Sequence, residues 1–299
     1  MLDTIRRIVA PVATASFVFA GVLTAQQASG PWTAVEDALG RKGAAQPGDV
    51  IKFSFPRGDL NVTVGSVTVK PALALGGWLA FKQTANGQSM AMGDLVLTES
   101  EVGPVMRALQ TGGVEPTALH NHLTNESPHV MYMHVSAHGD AVKIAKAIHD
   151  ALALSKTPLG PPPPASAPSA ADLDTSAIAS ALGVSGKLNG VVYQVSVARK
   201  ERITSMGMEV PPSMGVATAI NFQPTGGGNA AITGDFVLRG AEVNAVARAL
   251  REHGIEVTAI HSHMVDEDPR LYFMHFWANA NAAGLAKGLR AALNETSKP

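Results

Sequence analysis

The spacing of hydrophobic positions changes along the chain, and each change marks an expected element. Val102, Val105, Met106 and Leu109 fall at i, i+3, i+4 and i+7, which predicts an amphipathic helix. Val243, Val246, Ala247 and Leu250 repeat that stripe. A final helical stripe, Ala141, Ile144, Ala145 and Ile148, is echoed by Ala282, Leu285, Ala286 and Leu289. Period two appears at Val191, Tyr193, Val195 and Val197, and over residues 61–69, where Gly65-Ser66 reads as a bulge or turn. Short helices are expected at 32–39 and 175–182. Two strands are expected at 117–123 and 130–137, joined around Glu126-Ser127-Pro128. Thr98 and Glu101 form a capping box before the first stripe, and Arg239 replaces the threonine in the second. Gly113 and Gly254 are the expected helix stops, and Gly226-Gly227-Gly228 reads as a turn.

The same order occurs twice. Residues 93–134 and 234–275 align without gaps at an offset of 141 and share 20 identities in 42 positions, too many for chance. The pattern predicts an α+β fold: a tandem duplication of a module with a mostly antiparallel sheet, a His-bearing β-hairpin and two or three flanking helices. The modules span 30–154 and 173–295. Between them, 155–172 is a Pro/Ala-rich linker, in which Pro161 to Pro164 favour extended, semi-rigid chain.

Residues 1–25 read as a signal peptide. Arg6 and Arg7 precede an apolar run over 8–23, with small residues near Ala25 and Ala28 for cleavage. Export to the periplasm or the exterior is therefore expected, with no stable membrane span after cleavage. The chain has no cysteine, which excludes disulfides, a lipidated cysteine anchor and thiolate ligands. Charged residues make up 16%, the formal net charge is -1 and no basic stripe is present, so nucleic acid is not an expected partner.

The candidate chemistry lies in the repeated His-x-His-x-x-x-Glu motif and a downstream His. Residues two apart on a strand share a face. His120 and His122 therefore share one, as do His261 and His263. A turn centred on Ser127 places His120 opposite His134 and His122 opposite Tyr132. The equivalent turn places His261 opposite His275 and His263 opposite Phe273. Cross-strand partners lie about 5 Å apart at Cβ. Each copy then presents three imidazoles on one face, suited to a divalent transition metal such as Zn, Cu or Fe. Glu126 and Glu267 are candidates for a fourth ligand, an orienting partner or a general base. These residues persist in both copies while neighbours diverge: Leu123 becomes Met264, Thr124 Val265 and His129 Arg270. Met133 alternates with His134 and is expected on the opposite face. Met131 is replaced by Tyr272, so core packing accounts for both methionines. His129, His138, His149 and His253 have no counterpart in the other copy. Asp94 and Asp235, each after a glycine, are expected to make a shared turn hydrogen bond or to add a carboxylate to the site.

His-x-His-x-x-x-Glu also opens the cupin metal motif, but here the third His is only 12 residues on and helices flank the pair. The His-x-His-x-Asp-His pattern of metallo-β-lactamase sites fails at Val265. The longer string Gly-Asp-x-Val-Leu, a helix, then Thr-Ala-(Leu/Ile)-His-x-His-x-x-x-Glu-x-Pro-x-x-x-x-Met-His resembles the LppY/LpqO-like family. That resemblance covers nearly the whole expected mature chain. It implies an exported two-repeat protein and brings no established activity or catalytic residue. This chain departs from it in lacking a lipobox cysteine. Three functions are compatible with the sequence. The first is an exported protein binding a metal ion or small molecule through a three-His face in each repeat. The others are a metal-dependent periplasmic hydrolase and a cell-envelope structural protein with structural histidines.

Overall fold

The computed structural model describes residues 32–161 and 172–297. The expected signal peptide and most of the expected linker lie outside the described residues. The first repeat runs α1 (Thr33–Leu39), β1 (Ala44–Gln46), β2 (Val50–Pro56), β3 (Thr63–Val64), β4 (Val67–Thr68), β5 (Gly76–Gln83), β6 (Ser89–Thr98), α2 (Glu99–Thr111), β7 (Glu115–His120), β8 (Glu126–Ser127), β9 (Val130–Gly139) and α3 (Ala141–Leu152). The second repeats it: α4 (Thr175–Leu182), β10 (Lys187–Asn189), β11 (Val192–Ala198), β12 (Thr204–Ser205), β13 (Met208–Glu209), β14 (Ala217–Gly226), β15 (Asn229–Arg239), α5 (Val243–Glu252), β16 (Glu256–His261), β17 (Glu267–Asp268), β18 (Leu271–Asn281) and α6 (Ala282–Asn294). This is a duplicated α+β module, as the two periodicities imply.

Each repeat has a six-stranded antiparallel sheet, ordered β1-β2-β5-β6-β9-β7 and β10-β11-β14-β15-β18-β16. One face of each carries the helices. Leu95, Leu97, Met133 and Val135 pack there against Val105, Leu109, Ile144 and Ile148. Phe236, Leu238, Met274 and Phe276 do the same against Val246, Leu250, Leu285 and Leu289. Met133 thus lies on the face opposite His134, as strand alternation requires. The other faces meet each other. Val50, Met90 and Met92 of the first sheet join Val237, Leu271 and Phe273 of the second in one buried cluster. Helices lie outside and sheets inside, and the two repeats share one compact unit. No helix among the described residues is long and apolar enough to cross a membrane.

Local signals explain most element ends. The Thr98–Glu101 capping box forms. In the second repeat half of it survives: Glu242 still accepts the Arg239 N–H at 2.7 Å. Both glutamates do more than cap. Glu101 pairs with Arg57, which is fully buried and donates to the Val96 carbonyl at 2.8 Å. Glu242 pairs with Arg199, which donates to the Val237 carbonyl at 2.7 Å. Gly113 and Gly254 end α2 and α5 with φ of +76° and +70°.

The expected hairpin register is corrected. Segment 121–129 is no tight turn, because Glu126–Ser127 leaves the main sheet to pair with Thr63–Val64, and Ser127–Pro128 is cis. A bulge between Pro116 and Ala118 shifts the pairing further. His120 lies opposite Tyr132, not His134, and His134 lies opposite Ala118. In the second repeat His261 lies opposite Phe273, not His275, and His275 lies opposite Ala259. At the histidines the slip is two residues, so their side chains keep the expected face.

Candidate functional site

The inner faces of the two sheets bring six imidazoles together. His134 sits on β9 directly opposite Asp94 of β6, and His275 sits on β18 directly opposite Asp235 of β15. His120 and His261 end β7 and β16, and His122 and His263 follow just beyond. Aromatic neighbours orient the rings. His122 stacks on Tyr132 at 3.3 Å between centroids, and His263 on Phe273 at 3.4 Å.

The rings pair across the repeats. His120 stacks on His261 at 3.7 Å, His122 lies against His275 at 3.9 Å and His134 stacks on His263 at 3.5 Å. Exchanging the repeats maps the first pair onto itself and the second onto the third. The cluster therefore has a pseudo-two-fold axis passing between His120 and His261. Side-chain-to-backbone bonds lock the repeats together beside it: Asn121 Nδ2 donates to the Thr258 carbonyl at 3.1 Å, and Thr258 Oγ1 to the His122 carbonyl at 2.5 Å.

Second partners fix which ring nitrogen carries the proton. The His275 Nδ1–H donates to the Gly234 carbonyl at 2.8 Å, and the His120 Nδ1–H to the Asn121 carbonyl at 3.3 Å. A carbonyl only accepts, so Nε2 keeps its lone pair free in these rings. All six Nε2 atoms are buried without a hydrogen-bond partner, as are Oδ1 of Asp94 and of Asp235. Asp94 Oδ2 approaches His122 Nε2 at 3.4 Å and His134 Nε2 at 3.6 Å, and Asp235 Oδ2 approaches His263 Nε2 at 3.5 Å. Each buried polar group left unpaired costs on the order of 1–3 kcal/mol. A concentrated set of such groups calls for an explanation other than packing.

Burial keeps the rings neutral. It pushes His120 and His261 down to about 4, and holds His122, His134, His263 and His275 well below the usual imidazole range. Burial, and then the nearby Asp94, pushes the Asp235 carboxyl well above its usual range. The lone pairs are thus available at neutral pH, and a cation would offset the penalty on the Asp235 carboxylate. His120, His261, His263 and His275 offer ligand atoms all within 4.8 Å of one another, and so do Asp94, His120 and His122. Imidazole and carboxylate donors without sulfur suit Zn, Cu or Fe.

Glu126 and Glu267 serve their loops. Glu126 Oε1 accepts the Val130 N–H and Glu267 Oε1 the Leu271 N–H, both at 3.0 Å. Glu267 Oε2 also takes Arg270 Nη1 at 3.3 Å, whereas Glu126 Oε2 is buried without a partner. Burial pushes the Glu126 carboxyl up to about 7. The aspartates are not at turns: Gly93-Asp94 and Gly234-Asp235 lie mid-strand. The glycines explain the dipeptide. A Cβ on Gly234 would stand 2.0 Å from the Ala219 carbonyl oxygen, and one on Gly93 2.6 Å from that of Trp78. Glycine lets neighbouring strands close up, and the aspartate beside it faces the cluster. The repeated Gly-Asp was the sequence signal for these two carboxylates. His129, His138, His149 and His253 lie apart, with local partners Glu99, Thr84, Asp150 and the Ala249 carbonyl.

Fold and site define a two-repeat α+β protein with a histidine cluster between its sheets. The chain belongs to the family described as Domain of Unknown Function (DUF1259), whose model matches residues 33–154 and again 176–295. No curated protein matches it. Among solved structures it is similar to the trimeric bacterial microcompartment shell protein PduB, with 14% identity, 84% of this chain and 90% of that one covered, and a TM-score of 0.21. It is also similar to EtuB from Clostridium kluyveri, with 11% identity, 84% and 90% covered, and a TM-score of 0.19.

Proposed function

We propose that this is an exported metal-binding protein whose two repeats build one histidine centre between them. One observation carries the reading: six imidazoles converge, four buried and two half-buried, and every Nε2 is buried without a hydrogen-bond partner. Neutral rings held by Nδ1–H bonds to backbone carbonyls are the protonation state that metal ligation needs. His120, His122, His134, His261, His263 and His275 are the proposed ligands, with Asp94 and Asp235 beside them. Export follows from the N-terminal sequence, and so does placement in the periplasm or outside the cell. The likeness to the LppY/LpqO-like family fits that placement. Binding is favoured over hydrolysis, because Glu267 is held by the Leu271 N–H and Arg270, and Glu126 holds the Val130 N–H through Oε1.

Metal analysis of the purified full chain tests this. A transition metal should copurify, or bind more tightly than micromolar. The His263→Ala/His275→Ala variant should bind less of it than wild type does. If wild type takes up none, and calorimetry cannot tell the variant from it, the cluster is structural and the proposal fails.

A further inference from the structure

The proposed site has more donors than one ion can use. Six Nε2 atoms and two Asp Oδ1 atoms make eight buried ligand atoms without a hydrogen-bond partner. A tetrahedral ion takes four ligands and an octahedral ion six. A single ion would leave at least two of the eight stranded, and a zinc ion would leave four.

Their arrangement is also double. The four imidazoles of His120, His261, His263 and His275 form one mutually close group. Asp94, His120 and His122 form another, and His134 Nε2 lies 3.6 Å from the same Asp94 oxygen that faces His122. His120 belongs to both groups. Asp235 stands against His263 and His275, at 3.5 Å and 3.9 Å. A pseudo-two-fold axis turns every off-axis position into two.

The geometry points to a centre for two divalent transition ions. One is held by the four-imidazole group beside Asp235. The second is held on the other side of His120, by Asp94 and His122 with His134 adjacent. This inference rests on the metal-binding reading above and deepens it. Each repeat then supplies a carboxylate, and every buried donor has a cation to face.

The test is stoichiometry on the full chain, stripped with a chelator, reloaded with Zn or Co and measured by elemental analysis. Wild type should hold two ions per chain. Asp94→Asn/His122→Ala should hold one, and so should His263→Ala/His275→Ala, with circular dichroism confirming that both fold. One ion in wild type, or two in a folded double variant, overturns the inference and leaves metal binding standing. No ion in wild type overturns both. Should the variants not fold, wild type loaded with Cu(II) decides: a spin-coupled pair by electron paramagnetic resonance supports the centre, and two isolated signals overturn it.

Discussion

Gly234→Ala adds one methyl group at a point with no room for it. Its Cβ would stand 2.0 Å from the Ala219 carbonyl oxygen, 2.9 Å from the Ala219 carbonyl carbon and 2.9 Å from the Phe276 ring. The closest contact is backbone, so no rotamer change relieves it. Strand β15 must move away from β14 where Gly234 lies opposite Ile220, and the ladder there must stretch. Overpacking a core typically costs about 1–3 kcal/mol. A disrupted ladder bond adds about 1 kcal/mol. A loss of about 3 kcal/mol follows, against the 5–15 kcal/mol typical of a whole domain. The Gly234 carbonyl also receives His275 Nδ1, and Asp235 is the next residue. Metal uptake should fall along with stability. Urea unfolding followed by circular dichroism, with and without added metal, measures both. Gly93→Ala is the comparison: its Cβ would meet the movable Cδ2 of Leu79 at 2.5 Å and the Trp78 carbonyl oxygen at 2.6 Å, a less severe backbone clash than the 2.0 Å at Gly234, so it should cost less. A Gly234→Ala protein within about 1 kcal/mol of wild type, which is the size of one hydrogen bond, would refute the close-approach account.

Other predictions follow from the same contacts. Arg199→Ala removes the guanidinium from half-buried Glu242 and should cost about 1.5–3 kcal/mol in denaturant unfolding, the range for hydrogen bonds to a charged group; an effect under about 0.5 kcal/mol, as for an exposed pair, would contradict it. Glu126 is pushed up to about 7 from 4.5, so its effect favours the fold below pH 4.5 and is lost as pH rises through 7. Glu126→Gln should therefore gain stability on wild type between pH 5 and 8, by up to about 3 kcal/mol at about 1.4 kcal/mol per pH unit; a pH-independent difference would count against the burial of that carboxyl. Removing metal with a chelator should lower the melting temperature, and free metal at about 100 times its dissociation constant should restore about 2.7 kcal/mol. Identical melting curves with and without chelator would weigh against a site between the repeats.

The duplication, the outer helices and the two faces of each central strand were legible because they are local. A stripe such as Val102, Val105, Met106 and Leu109 states its own period, and so does the alternation of Tyr132, Met133 and His134. Register was not legible. It depends on the bulge after Pro116 and on Glu126–Ser127 pairing with Thr63–Val64, which lie more than 60 residues earlier. The meeting of the two inner faces was also hidden, since Met92 and Phe273 show no mark of each other in sequence. That contact turns two three-His faces into one cluster. The motif spacing drew attention to Glu126 and Glu267 because they follow His-x-His, but a carboxylate four residues before a free N–H is as well placed to close a loop. Asp94 and Asp235 were conspicuous as letters, and only the strand pairing shows that each stands opposite a histidine. The Arg57–Glu101 and Arg199–Glu242 pairs link residues 44 and 43 positions apart. Only Glu101 left a local trace there, through its cap.

The axis between His120 and His261 gives the chain the geometry of a symmetric dimer that has been fused. Separate single repeats would have to find each other before any pocket of imidazoles existed, and dilution would pull them apart. Covalent joining makes that encounter intramolecular, with an effective concentration on the order of millimolar for a short tether. The assembled centre then persists however dilute the protein becomes. Symmetry is also no longer enforced, since each copy mutates alone. Tyr132 against Phe273 and His129 against Arg270 are places where the halves have already diverged. A fused pair can keep the shared centre while making its two sides chemically different.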